Sequence, residues 1–154
     1  MPRVPHAYPY GELVIVIDCA DLARAAQFWT AVLGYEADPA SGPFQSLIPA
    51  GGSGIEVLLQ RVSDAKLGKN RVHLDLRTPD LDAEVARVLS CGAIQITEVP
   101  VSEDGWRWHV LADPDGNEFC ILQPPAQEGS DSPTRRRGRG GGRRRPRRGS
   151  WSGR

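Results

Sequence analysis

Three side chains with chemistry in them, His73, Asp75 and Arg77, alternate with Val72, Leu74 and Leu76. A period of two marks a strand, so the polar three share one face and the aliphatic three the other. A histidine beside a carboxylate can hold or move a proton near neutral pH, and an arginine can fix an anionic group. The plainer alternative is an Asp75–Arg77 pair and a histidine that only hydrogen-bonds. Further on, Trp106 and Trp108 alternate with Arg107 and His109, which sends both indoles to one side. They either pack as core or form a wall for a planar ligand. Cys19, Cys91 and Cys120 include no CxxC and, being odd in number, cannot all pair. Cys120 reads first as a small buried hydrophobe, since its sequence neighbours offer no cation to lower its pKa. Asp113-Pro114-Asp115-Gly116 reads as a tight turn.

The elements that must position these residues come in two copies. The strand over 71–77 runs into a helix over 80–91, opened by Thr78-Pro79-Asp80 and striped with Leu81, Val85, Val88 and Leu89. Gly92 stands where a left-handed cap is expected. Earlier, Leu13, Ile15 and Ile17 alternate with Val14, Val16 and Asp18 in a strand over 12–18. A helix over 21–33 follows, with Ala25, Phe28, Trp29, Val32 and Leu33 on its apolar side. Aligning Asp21-Leu22 on Asp80-Leu81 pairs Val14 with His73 and Val16 with Asp75. Gly54-Ile55-Glu56-Val57-Leu58-Leu59 is likewise echoed by Gly116-Asn117-Glu118-Phe119-Cys120-Ile121. Such recurrence means one supersecondary unit used twice. Strands over 44–48 and 55–62 complete the first copy, and strands near 93–101, 106–112 and 117–123 the second. The fold class is α+β, two βαβββ modules at about 11–62 and 70–124, with helices covering one face of each sheet.

The 154 residues suffice for one domain with a real core. Their net charge of zero hides a division. Residues 126–154 hold ten arginines and two acidic residues, a net +8; the rest holds nine basic and 17 acidic residues, a net −8. The like-charged, Gly-rich run predicts a disordered tail over 125–154, and the prolines of 1–10 an extended lead-in. Arg-Gly segments bind nucleic acid through phosphates and by stacking, so weak nucleic-acid association is one possible partner. No apolar run approaches the length of a membrane span, and the unpaired cysteines and absent apolar leader point to a cytoplasmic protein.

Residues 11–124 resemble the vicinal oxygen chelate superfamily of glyoxalases, ring-cleaving dioxygenases, fosfomycin-modifying enzymes and bleomycin-binding proteins. The resemblance rests on the stretch from Asp21-Leu22 to Leu33-Gly34, on His73 ahead of Asp80-Leu81, and on Asp113-Pro-Asp-Gly-Asn-Glu-Phe119. It implies that the two modules form a cup-shaped mixed sheet of the glyoxalase/bleomycin-resistance type, usually in a homodimer. It also implies four metal-ligand slots, one on the first and one on the last strand of each module. Here they fall on Val14, Leu58, His73 and Cys120. Val14 and Leu58 have no lone pair to donate, so no metal cofactor is expected. A rebuilt set of Glu56, His73 and Glu118 is the alternative for a divalent ion, since Glu56 shares a face with Leu58 and Glu118 with Cys120. The expected function is binding of a small, partly apolar molecule in the cup. Val14, Val16 and Leu58 would line it, and His73, Asp75 and Gln60 would make polar contacts, with Arg77, Trp108 and Cys120 nearby. The alternative is a lyase or isomerase in which His73 binds metal or acts as general base and Asp75 orients it.

Overall fold

In the computed structural model, which describes residues 11–126, the first module opens on strand β1 (Val14–Cys19) and enters helix α1 (Leu22–Leu33) through Asp21. Asp21 is extended, and its carboxylate accepts the Arg24 backbone N–H at 3.1 Å, satisfying one of the donors a helix start leaves open. Gly34 closes the helix in the left-handed region at φ +67°, which disfavours a residue with a side chain. Strands β2 (Tyr35–Ala37), β3 (Phe44–Pro49) and β4 (Glu56–Arg61) follow. Between β3 and β4 a glycine is obligatory at Gly54, because a Cβ there would lie 2.8 Å from the Pro49 side chain. β4 runs parallel to β1, and the sheet order is β1-β4-β3-β2.

The second module repeats this plan with β5 (Leu74–Arg77), α2 (Leu81–Ser90), β6 (Ile94–Gln95), β7 (Val101–Glu103), β8 (Trp106–Ala112) and β9 (Glu118–Gln123). Asp80 caps α2 as Asp21 caps α1, its carboxylate accepting the Ala83 N–H at 3.0 Å. β5 is parallel to β9, and the order is β5-β9-β8-β6 with β7 also on β8. The cup-shaped mixed sheet thus resolves into two hydrogen-bonded sheets, each holding one parallel pair. The predicted helix stripes are the buried ones. Ala25, Phe28, Trp29 and Val32 meet Leu81, Val85, Val88, Phe119 and Ile121 in one shared core. The helix-bearing sides share that core, and each sheet turns its other, helix-free side away from it.

Beyond shifts of one or two residues at element ends, three stretches differ from the sequence reading. β2 is an added strand, too short at three residues to show a period. The strand expected near 93–101 is broken into β6 and β7. There the Thr97 hydroxyl accepts the Val110 N–H at 3.0 Å, replacing a ladder bond, and Pro100 has no N–H to donate. The strand expected over 71–77 begins only at Leu74. Asn70 donates its backbone N–H to Glu118 Oε2 at 3.1 Å and its side-chain amide to the Glu118 carbonyl at 3.3 Å, so the chain turns before it can pair with β9. The lead-in over 1–10 and the tail, apart from Pro125 and Ala126, lie outside the described residues.

Candidate functional site

Side-chain alternation decides what each sheet shows on its helix-free face. On β1 the core takes Ile17 and Cys19, so Val14, Val16 and Asp18 turn the other way. The ladder sets Val14 beside Glu56, Val16 beside Leu58 and Asp18 beside Gln60. β3 adds Ser46 next to Leu58 and Phe44 next to Gln60. On β9 the core takes Phe119 and Ile121, leaving Glu118, Cys120 and Leu122. Asp75 and Val110 flank Cys120, while Arg77 and Trp108 flank Leu122.

The two floors differ in kind. In the first module Val16 is 51% exposed and Phe44 39%, an open apolar surface. In the second, Val110, Ala112 and Leu122 are buried although they belong to no part of the helix-side core.

The register therefore brings Val14, Val16, Leu58, Gln60, Asp75, Arg77, Trp108 and Cys120 to the helix-free side, with Glu56 and Glu118 among them. It also resolves the two tryptophans: both face the cup side, whereas Arg107 and His109 face the helices. His73 is the exception. It precedes β5, is exposed, and its Nε2 lies 3.1 Å from the Asn70 carbonyl. The Arg77 guanidinium lies over the Trp106 ring, 5.2 Å from its centroid.

The donors present do not fit the four-ligand metal of the superfamily. Val14 and Leu58 cannot coordinate, and Glu56 accepts the Ser46 hydroxyl at 2.7 Å. Glu118 is held by Lys66 at 2.9 Å and by the Asn70 N–H. Burial raises the Glu118 carboxyl, but these donors outweigh it and leave its pKa below the usual value. Among the described residues no three His, Cys, Asp or Glu side chains converge as a metal would require. An open depression of about 600 Å³ lies elsewhere, on the helix side of the first sheet, bordered by Asp21, Gln45 and Arg61.

The turn residues carry more than the sequence reading assigned them. Asp113 is fully buried and accepts the Trp29 indole N–H at 3.1 Å, the Asn117 amide at 2.9 Å and the backbone N–H groups of Asp115 and Asn117. Asp115 accepts the Ala20 N–H at 2.9 Å and the Arg24 guanidinium at 3.0 Å, and Asn117 donates to the Asp18 carbonyl. The turn is thus a joint between the modules. One signal was available: a tryptophan in a buried helix stripe needs an acceptor for its N–H.

Comparison with known proteins agrees with this architecture. The sequence matches the family model described as a glyoxalase-like domain over residues 14–122, and the chain belongs to that family. Among solved structures, it is similar to a glyoxalase/bleomycin resistance protein/dioxygenase family enzyme from Burkholderia phytofirmans PsJN at 20% identity and TM-score 0.59. That likeness covers 71% of this chain and 95% of the other. A glyoxalase/bleomycin resistance protein/dioxygenase from Nocardioides is similar at 14% identity and TM-score 0.61, over 84% and 92% of the two chains. The fosfomycin resistance protein FosX from Mesorhizobium loti is similar at 17% identity and TM-score 0.59, over 76% and 94%. At these identities the likeness speaks for the fold alone. A search of curated proteins returned no match.

Proposed function

We propose that the chain binds a small, mostly planar, partly apolar molecule in its cup, without a bound metal ion. The observation that carries this reading is the floor itself. Val14, Val16 and Leu58 are brought onto one face by the β1–β4 register, an aliphatic surface exposed at Val16 and half-buried at Val14 and Leu58. On the helix-free side of the second sheet, Asp75, Arg77, Trp108 and Cys120 supply polar and aromatic contacts. An open apolar surface with a few placed polar groups is what a small-molecule site needs. Similar structures named for bleomycin or fosfomycin resistance support a small-molecule ligand. The absence of metal is supported by the aliphatic side chains in two of the four ligand slots.

A thermal-shift screen of metabolites and antibiotics, followed by titration of any hit, tests the binding. Ligand binding raises the melting temperature by mass action. Trp108→Ala should weaken a hit more than Arg107→Ala, whose guanidinium lies on the helix side 4.0 Å from Asp82. The reverse order would remove Trp108 from the site. Elemental analysis tests the rest: about one metal per chain, lost on His73→Ala, would overturn the metal-free reading.

A further inference from the structure

Arg77 is a cation of the helix-free face that the structure places over a ring. Its guanidinium carbon is 5.2 Å from the Trp106 centroid. The sheet dictates the path. Arg77 on β5 pairs with Leu122 on β9, and Leu122 pairs with Trp108 on β8. Trp106 is two residues away from Trp108 along β8, on the same face. Usual strand spacing puts β5 and β8 about 10 Å apart, so the side chain must cross β9 to meet the ring. Its aliphatic stem therefore runs over the floor at Leu122, which is buried at 9% exposure, and its charged end stops over the Trp106 indole.

Stacking engages the flat face of a guanidinium. A guanidinium that meets a ring in this way keeps its in-plane N–H groups, which match an oxyanion in bidentate fashion.

Resting on the cup-binding reading above, we propose that Arg77 determines the specificity of the cup. Its ligand is then a planar anion, an aromatic or conjugated carboxylate. The carboxylate meets the Arg77 fork and the ring system lies along Trp108.

Calorimetric titration of the full chain with 1-naphthoate and with the neutral 1-naphthalenemethanol tests this directly. The naphthoate should bind about tenfold more tightly, the scale of a hydrogen bond to a charged group. Arg77→Gln should abolish that preference, bringing naphthoate down to the affinity that naphthalenemethanol has for the same variant. Arg77→Lys should recover only part of it, because a point charge lacks the fork. Trp106→Leu, which frees the guanidinium, should weaken naphthoate less than Arg77→Gln does. Arg77 is exposed, and melting temperatures check that each variant folds. Equal binding of both probes to the native chain would overturn the proposal, as would full naphthoate affinity in Arg77→Gln or Arg77→Lys. If both probes bind equally and depend on Trp108, the cup reading stands and the anion assignment falls. If neither probe binds, both fall.

Discussion

At the scale of single residues, Asp113 matters most to the fold. Four N–H donors converge on its buried carboxylate, and one of them is the Trp29 indole of the other module. Asp113→Ala strands these donors and should destabilise the protein by about 3 kcal/mol. Combined with Trp29→Phe, its effect should fall short of additive by roughly 1 kcal/mol in denaturant melts, because each change removes the same bond. Cys19 is the second case. Burial, then the charges of Asp115, Asp113, Asp18 and Asp21, push its thiol up to about 11. The thiolate is the reactive form, so iodoacetamide at pH 8 should modify Cys91 well before Cys19 in the folded protein. Peptide mapping reads this, and urea should erase the difference.

At the scale of elements, β5 depends on one face for packing and on its neighbours for its start. Leu74 packs against the shared core, so Leu74→Asp drives a charge into it and should unfold the domain, as far-ultraviolet circular dichroism would report. The Lys66–Glu118–Asn70 cluster anchors the segment before β5. Since the folded Glu118 carboxyl titrates below its ordinary 4.5, its contribution is present above that pH. It is lost as the pH falls through the lower folded value. Lys66→Met should flatten that part of the acid-unfolding curve; an unchanged slope would show that the pair adds nothing to stability.

At the scale of the whole molecule, the joint between the modules is both apolar and hydrogen-bonded, so they should unfold as one unit. Phe28, Trp29 and Phe119 pack with centroids 5.1 to 6.1 Å apart, and Arg87 of α2 donates to the Ala31 and Val32 carbonyls at the end of α1. Phe119→Ala should cost roughly 4 kcal/mol and lower a single melting transition without splitting it. Two transitions in calorimetry would mean that the modules fold independently. The +8 of residues 126–154 predicts weak, sequence-independent RNA binding at low salt. Truncation after Pro125 should abolish it; equal affinity in the truncated chain would remove that reading.

The sequence by itself determined the repeat, the two helices and their buried stripes, and the strand faces, because periods of 3.6 and 2 are local properties of the chain. Hence Val14, Val16 and Leu58 read as one side of a sheet from the chain alone, and Trp106 and Trp108 as sharing a side, though not which side. Tertiary structure decided what depends on partners distant in sequence. Asn70, bound to Glu118, ends the strand short of His73, and no pattern within residues 71–77 contains Glu118. Arg77 meets Trp106, a neighbour set by strand order β5-β9-β8 and not by spacing along β5. Asp113 reads as a turn former because it is one, while its second role requires Trp29 to be brought against it across the joint. Periodicity fixes the side on which a residue lies, but the residue it meets there is fixed only when the two modules close on each other.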